Sequence, residues 1–307
     1  MTNVPYATPV LFLVFNRPDT TRKVLEAIRN ARPQKLFVAA DGPRDDHPRD
    51  AERCAEVLQI IEGAVDWECD VRYLKREKNL GCRIAVSAAI SWFFQNVEEG
   101  VILEDDCLPV PQFFGFCSSL LAHFRDVPRV AHIGGFNCQN GRARGAGSYY
   151  FSRYFHVWGW ASWRRAWDGY DVDMRDYPEF LASGALENLF ERKSVRAFWK
   201  DIFDATAAGH VNAWDYQWAY RNFKDDRLAV IPNSSMIENI GFGENATHTS
   251  TRVRQDPVVD RAAPEEVTHP QFILPSRAAD DFTYRHHLGL GRYHDLKHIA
   301  KKALGRV

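Results

Sequence analysis

Three acidic residues stand together at Glu104, Asp105 and Asp106, directly after the apolar residues 101–103. The apolar run predicts a buried strand, which places the three carboxylates at its carboxyl end. Neighbouring carboxylates repel one another, and they are costly to bury unless a cation binds to them. Mn²⁺ and Mg²⁺ take oxygen ligands, often one or two carboxylates together with substrate phosphates. The triplet therefore predicts a metal–diphosphate site, with a solvated strand-to-loop turn as the alternative.

Polar side chains also follow the other apolar runs of the first 127 residues. The runs 10–15, 35–40 and 69–76 are typical of strands, and the polar residues at their ends are Asn16, Arg17, Asp41, Arg44, Arg76 and Asn79. Helical spacing of apolar residues alternates with these runs, at 20–31, 51–62 and 83–97. The alternation predicts an α/β fold with a mainly parallel, doubly wound sheet. Ligands bind at the carboxyl ends of the strands in such sheets, so we expect Arg17, Arg44 and Arg83 to face the acids.

Composition narrows the class of protein. The chain has 307 residues and a formal net charge of −1, which makes nucleic acid an unexpected partner. Its six cysteines form no CxxC pair, so we expect a reducing, cytoplasmic environment and neither a zinc ribbon nor a disulfide framework. The first ten residues lack the pattern of a secretory signal, and no apolar run reaches the roughly 18 residues of a membrane span.

Known nucleotide-binding loops are not found in this sequence. Neither a Walker A pattern nor GxGxxG follows the first predicted strand. An aspartate-nucleophile phosphatase would place its acids at the end of that strand, which ends instead in Asn16 and Arg17. Any nucleotide is therefore held by a different kind of loop.

The second half combines a glycine-rich stretch with many aromatic residues. Residues 140–153 predict a mobile loop that acts as a lid. Trp163 and Trp167 are four residues apart, which favours one face of a helix packed in the core. For the stretch Trp158, Gly159 and Trp160, stacking on a sugar ring and plain core packing are equally supported.

One acid in this half is a candidate general base. Residues 194–209 and 212–223 are predicted helices, and Trp214 and Trp218 share an inward face of the second. Asp215 lies beside that face. An acid next to aromatic surface can be tuned as a general base. The residues alone favour a different interpretation, in which Asp215 is a first-turn acid that interacts favourably with the helix dipole.

The motifs PVLFLVFNRPD, VAADGPR, NLG and GVILEDDCLPVPQFF together resemble the nucleotide-binding half of GT-A glycosyltransferases. The likeness covers roughly residues 8–250 and is to the bacterial hemolysin-like group and, more distantly, to eukaryotic N-acetylglucosaminyltransferases. It implies a GT-A, Rossmann-like sheet with an acceptor-binding second half. It also implies transfer of a sugar from a nucleoside-diphosphate sugar, a UDP-sugar above all, to a carbohydrate or glycolipid acceptor in surface polysaccharide or glycoconjugate synthesis.

The resemblance also implies roles for individual residues. Asp106 would bind the metal, Asp105 would face the donor ribose or sugar, and Asp41 would border the uracil and ribose. Asp215 would be the catalytic aspartate of an inverting reaction. His248, in the glycine-flanked loop GFGENATH, would complete the metal shell or touch the diphosphate. The remaining residues expected at the donor are Asn16, Arg17, Arg44, Asn79, Arg83, Glu104, Trp158, Gly159 and Trp160.

These expectations divide the chain into a nucleotide-sugar-binding half, residues 1–127, an acceptor-binding and catalytic half, residues 128–250, and an extension, residues 251–307. The extension ends in a basic, modestly amphipathic stretch. We expect this stretch to be a solvated tail, with peripheral contact at the inner face of a membrane as the alternative. A sugar nucleotidyltransferase and a non-catalytic nucleotide-sugar-binding protein are the alternative functions.

Overall fold

A computed structural model describes residues 6–241, 259 and 266–288. In the first half it confirms the predicted alternation, with ends shifted by a few residues. The elements are β1 Val10–Val14, α1 Pro18–Ala31, β2 Lys35–Ala40, α2 Asp50–Ala64, β3 Asp70–Lys75, α3 Gly81–Asn96 and β4 Glu99–Glu104.

The second half continues the same sheet. Its elements are β5 Cys107–Pro109, α4 Gln112–Phe124, β6 Val130–Gly134, β7 Tyr149–Ser152, β8 Trp160–Trp163, α5 Arg164–Trp167, α6 Tyr177–Ala182, α7 Ala185–Leu189, α8 Lys193–Ala207, α9 Asp215–Lys224, β9 Leu228–Pro232 and β10 Ile237–Asn239. α10 Arg277–Phe282 and a π-helical turn, Thr283–His287, follow.

The central sheet has eight strands in the order β3-β2-β1-β4-β8-β6-β9-β7. β8 runs antiparallel to β4 and β6, β7 runs antiparallel to β9, and the other six strands share one direction. The predicted fold class, an α/β fold with a mainly parallel, doubly wound sheet, is confirmed. The carboxyl ends of β1, β2, β3 and β4 consequently meet at one edge.

Burial explains why these strands form a central sheet. All five residues of β1 are buried, as expected for a strand covered on both faces. α1 buries Val24, Leu25 and Ile28 at helical spacing and begins with Pro18, a residue favoured in the first turn. One continuous apolar core extends from β1 to Ile237. The expected boundary between residues 127 and 128 therefore falls inside a single sheet and core.

Two sequence-based expectations in the second half were wrong. Residues 149–152 of the expected lid form β7 and are buried, because they pair with β9. Trp163 ends strand β8 and Trp167 ends the short helix α5, so they do not share a helix face. Both tryptophans are nevertheless buried in the core. A spacing of four residues fits one face of a helix, and it fits equally a strand end followed by a short helix. Periodicity therefore could not distinguish the two arrangements.

The described part of the C-terminal extension packs on the edge of the sheet. Pro275 pairs with Phe151 of β7, and Asp280 accepts a hydrogen bond from Ser152 Oγ at 2.6 Å. The basic stretch 290–307 lies outside the described residues. Within residues 6–241 and 266–288, no helix combines the length and hydropathy needed to span a bilayer.

Candidate active site

A cavity of about 770 Å³ opens at the carboxyl ends of β1 to β4. Its apolar floor comes from these strands and from α3, and includes Leu13, Ala40 and Val86. Its polar lining comes from the ends of the strands and the loops after them, from the start of α9 and the loop before it, and from β10: Arg17, Asp41, Arg44, Arg76, Asn79, Glu104, Asp105, Asp106, Asn212, Asp215 and Asn239. The structure thus brings most of the predicted residues together around one cavity.

The acidic triplet is enclosed and close to one arginine. Arg17 Nη1 donates to Asp106 Oδ2 at 2.6 Å and lies 3.5 Å from Asp105 Oδ1. Burial raises the pKa of Glu104 to about 8 and that of Asp105 to about 7, and the charge of Asp106 adds to both shifts. The physical cause is the one expected from the sequence, since neighbouring carboxylates resist ionisation when they are removed from water.

The strand β10 supports the last acid of the triplet. It pairs with β5, so that Asn239 stands opposite Cys107. Ile240 N then donates to the main-chain carbonyl of Asp106 at 2.8 Å. A Cβ atom added to Gly241 would collide with the carboxylate of Asp106. The backbone at residue 241 can approach Asp106 only because a glycine stands there.

The donor set of the triplet fits Mn²⁺ or Mg²⁺. It consists of carboxylate oxygens whose mutual repulsion a cation would relieve, which is the chemistry that hard divalent cations select. In the described part of the chain, no three His, Cys, Asp or Glu side chains converge to hold a metal by themselves. His248, the other predicted ligand, lies outside the described residues.

Asp41 organises the loop that follows β3. Its carboxylate accepts hydrogen bonds from the main chain of Leu80 and Gly81 and from Asn79 Nδ2, at 2.9 to 3.3 Å. Burial raises the pKa of Asp41, and the main-chain hydrogen bonds oppose the shift. Gly81 has a φ of 75°, so the turn into α3 requires a glycine. Asp41 and Asn79 therefore shape this end of the cavity together.

Asn16 is a supporting residue and does not line the cavity. Its side-chain amide donates to Asp50 Oδ1 at 2.6 Å. Asp50 Oδ2 accepts from Arg44 Nε, also at 2.6 Å, and Arg44 lines the cavity. Asp50 was not a candidate from the sequence, although its position at the start of α2 explains how the loop 41–49 is fastened.

Asp215 is the first residue of α9 and lines the same cavity as the triplet. Its charge contributes to the raised pKa of Glu104, so the two carboxylates are electrostatic neighbours. Trp214 is buried and stacks on Trp160 with ring centroids 5.7 Å apart. Tyr170 Oη donates to the carbonyl of Trp214 at 2.9 Å. Aromatic packing therefore fixes the helix start that carries Asp215.

The stretch 158–160 divides between cavity and core. Trp158 lines the cavity and packs edge-on against Phe136. Trp160 is fully buried, stacks on His132 and is not among the lining residues. Gly159 has a φ of 58°, and a Cβ atom there would collide with Ile237. The structure corrects the expected donor contacts of Gly159 and Trp160, because close packing with β10 and the core encloses them.

Arg83 does not face the acids. Its Nη2 donates to the carbonyl of Val172 and to Asp173 Oδ1, each at 2.9 Å. Arg83 is not among the residues that line the cavity, whereas Gly81 and Cys82 of the same helix are. The expectation that Arg83 faces the triplet is therefore wrong for this structure, because α3 directs it toward the loop 171–173.

Arg76, Asn212 and Asn239 also line the cavity, although none of them was a candidate site residue. Arg76 follows β3 and forms no ion pair with any residue in the described ranges. Asn212 Oδ1 accepts from the main chain of Arg83 at 3.1 Å, which fastens the loop before α9 to α3. Asn239 belongs to β10. Arg76 was recognisable as a strand-end residue, but the positions of Asn212 and Asn239 depend on contacts between distant segments.

No family model and no curated protein matches this sequence. The solved structures that are similar to parts of it include the following three. UDP-glucose pyrophosphorylase complexed with UDP-glucose has 11% identity, a TM-score of 0.26 and a match over 47% of this chain and 62% of its own. Apo UDP-glucose pyrophosphorylase has 9% identity and a TM-score of 0.38, and the match covers 76% of this chain and 93% of its own. UTP-bound UGPase from Acinetobacter baumannii has 8% identity and a TM-score of 0.34, and the match covers 73% of this chain and 85% of its own.

This chain thus spans less than two thirds of the first of these structures. Likeness at such identities and TM-scores carries no conclusion about activity. The functional assignment has to come from the residues around the cavity.

Proposed function

We propose that this protein is a metal-dependent glycosyltransferase that uses a nucleoside-diphosphate sugar, with UDP as the expected nucleotide. The observation that carries the proposal is the shared cavity of Asp215 and the acidic triplet. A candidate base and a candidate metal site, with arginines beside them, then flank one space. A general base and a divalent cation together promote transfer of a sugar from a diphosphate to a hydroxyl.

The donor is held by the strand-end loops. The loop of Asp41 and Asn79 and the guanidinium groups of Arg44 and Arg76 surround the end of the cavity suited to the nucleoside. Asp106 is the ligand expected to hold Mn²⁺ or Mg²⁺ beside the diphosphate, and Asp105 is expected to face the donor ribose or sugar. The cation supplies positive charge that stabilises the departing diphosphate.

Asp215 is the general base. Its carboxylate takes the proton of the acceptor hydroxyl as the acceptor oxygen bonds to the anomeric carbon. The bond from that carbon to the diphosphate oxygen breaks, and the diphosphate leaves with the electron pair. Attack from the opposite side inverts the anomeric centre. Trp158 offers an apolar ring face against which a sugar can pack.

A sugar nucleotidyltransferase is the second candidate, because it would bind the same nucleotide sugar at an equivalent sheet edge. We expect such an enzyme to hold a triphosphate with a glycine-rich, basic loop after β1. Here β1 is followed by Phe15, Asn16 and Arg17, and α1 begins at Pro18. The connection contains no glycine, which favours glycosyl transfer.

The decisive experiment measures both reactions. The protein is incubated with UDP-, GDP- and TDP-sugars and Mn²⁺, and release of the nucleoside diphosphate is followed with and without mixed carbohydrate acceptors. A parallel reaction with pyrophosphate tests for formation of a nucleoside triphosphate. We expect diphosphate release that EDTA and Asp106→Ala abolish. Triphosphate formation would establish the nucleotidyltransferase, and metal-independent UDP binding without turnover would establish a binding protein.

A further inference from the structure

Arg17 occupies the carboxylate oxygens that a cation would use. Its Nη1 lies 2.6 Å from Asp106 Oδ2 and 3.5 Å from Asp105 Oδ1. These two contacts are the ion pairs of the triplet within the described part of the chain. The three side chains are largely enclosed, with exposed fractions of 18% for Arg17, 9% for Asp105 and 16% for Asp106. The guanidinium is therefore the counter-ion of the triplet in this structure.

We propose that Arg17 competes with the divalent cation for Asp106 and gives up the site when the diphosphate of the donor binds. This inference rests on the proposed function and adds the order in which the site is filled. Competition from Arg17 makes metal binding weak without nucleotide and strong when the nucleotide is bound. The protein would then avoid holding a bare cation in the absence of donor.

The anchoring of Arg17 supports an exchange made by its side chain alone. Its main-chain carbonyl accepts from Thr21 N at 3.0 Å and from Thr21 Oγ1 at 2.7 Å, which fixes the backbone at the start of α1. The long side chain projects from this fixed point into the cavity. Rotation of the side chain is sufficient to move its charge from Asp106 to another anion in the cavity.

Electrostatics gives the exchange its direction. A guanidinium and a divalent cation repel each other and need the same carboxylate oxygens, so each weakens binding of the other. A diphosphate offers the guanidinium an alternative anion, and arginine matches phosphate geometry with two hydrogen bonds. Once Arg17 turns to the phosphates, Asp106 is available to the cation. By thermodynamic linkage, metal and nucleotide must then strengthen each other's binding by the same factor.

The test is direct measurement of Mn²⁺ binding by electron paramagnetic resonance, with and without UDP, which needs no turnover. For Arg17→Gln we expect Mn²⁺ to bind about 10-fold more tightly than to the wild type without UDP, a typical coupling. The gain in affinity on adding UDP should shrink correspondingly. Arg17→Lys keeps a positive charge and should fall between the two.

Arg76→Gln is the matched control. It removes the same charge from the lining of the same cavity, at a residue without an ion pair to the triplet in the described ranges. Its Mn²⁺ affinity without UDP should stay near that of the wild type. Thermal unfolding of each variant confirms that it is folded.

Two results would overturn the inference while leaving the proposed function intact. One is unchanged or weaker Mn²⁺ binding by Arg17→Gln without UDP, in a protein whose UDP-dependent Mn²⁺ binding requires Asp106. The other is an equal gain in Arg76→Gln, which would indicate a general charge effect. Absence of Mn²⁺ binding to the wild type even with UDP would overturn both the inference and the metal dependence.

Discussion

The hydroxyl of Tyr170 donates a hydrogen bond of 2.9 Å to the main-chain carbonyl of Trp214, the residue before Asp215. The ring of Tyr170 also stacks on Trp167, with centroids 4.2 Å apart and planes 10° from parallel. On the other side, Trp214 stacks on Trp160. The first turn of α9, and with it the candidate base, is therefore fixed by aromatic groups that do not line the cavity themselves.

Asp215→Asn should lower the turnover number by roughly 10²–10⁴, the usual contribution of a positioned general base. UDP binding, measured by titration calorimetry, should stay unchanged because the amide keeps the size of the side chain. Asp201→Asn, at an exposed position of α8, is the control and should leave both quantities unchanged. A collapse of UDP affinity in Asp215→Asn would place this residue in the nucleotide site, and unchanged turnover would leave the helix-dipole interpretation.

Tyr170→Phe should lower the turnover number by about 10-fold, because small misplacements of a catalytic group are costly. The stacked ring remains, so KM should be unchanged and stability should fall by only about 1 kcal/mol, the typical contribution of one hydrogen bond. Tyr177→Phe is the control, since its hydroxyl binds Asp204 and the residue does not line the cavity. In the Asp215→Asn background the effect of Tyr170→Phe should disappear. An equal effect in that background would show that Tyr170 does not act through Asp215.

Gly241→Ala should abolish metal-dependent UDP binding while the protein stays folded. The new Cβ atom would collide with the carboxylate of Asp106 and push it from its position. Gly115→Ala is the matched control, because a Cβ atom there meets nothing within 4 Å and alanine favours the helix. Mn²⁺-dependent UDP binding by Gly241→Ala at wild-type affinity would show that this backbone approach has no role in the site.

Asp50→Asn should lower the free energy of unfolding by about 1–3 kcal/mol, since a charged hydrogen-bond partner of Arg44 and Asn16 is lost. Hydrogen bonding to Arg44 lowers the pKa of Asp50 to about 2, from 3.8. The stabilisation is therefore present above pH 3.8 and is lost as the pH falls toward 2.

UDP binding should also weaken in Asp50→Asn, because Arg44 loses its anchor. Asp66→Asn breaks an exposed pair with Arg29 and should change stability by no more than about 1 kcal/mol. Chemical denaturation at pH 7 compares the two variants. Equal, small losses in both would contradict a structural role for Asp50.

His132→Gln tests a buried neutral histidine. Trp218 Nε1 donates to His132 Nδ1 at 3.3 Å, and His132 Nε2 lies 2.9 Å from the carbonyl of His156, to which it donates. Burial lowers the pKa of His132 from 6.5 to about 3. Between these values the unfolded chain binds a proton that the folded protein excludes, so the wild type loses stability as the pH falls below 6.5.

The variant His132→Gln lacks this pH-dependent contribution to stability. The difference in unfolding free energy between wild type and His132→Gln should therefore shrink on acidification, by up to about 1.4 kcal/mol per pH unit. Comparing this difference at several pH values cancels the contributions of the other titrating groups, because both proteins contain them. A constant difference for His132→Gln from pH 7 to pH 4.5 would contradict a neutral buried imidazole.

Much of the first half follows from local sequence. The apolar runs of β1, β2 and β4 could pair only as buried strands, and parallel pairing necessarily gathers their polar ends at one edge. Arg17, Asp41 and the acidic triplet were predicted for that reason. Arg83 follows the same turn as Asn79, yet it points away, because the direction of a side chain depends on the rotation of the helix that carries it.

The sequence by itself determined the alternation of strands and helices, the acidic triplet at a strand end and the polar character of the sheet edge, because each depends on neighbouring residues and their periodicity. Only the tertiary structure decided that Asp215 shares a cavity with the triplet, that Gly241 lies against Asp106 and that Asp50 fastens Arg44. The pairing of β8 between β4 and β6 also places Trp163 in a strand. These relationships join segments far apart in the chain, and packing selects them from many pairings that local pattern leaves equally open.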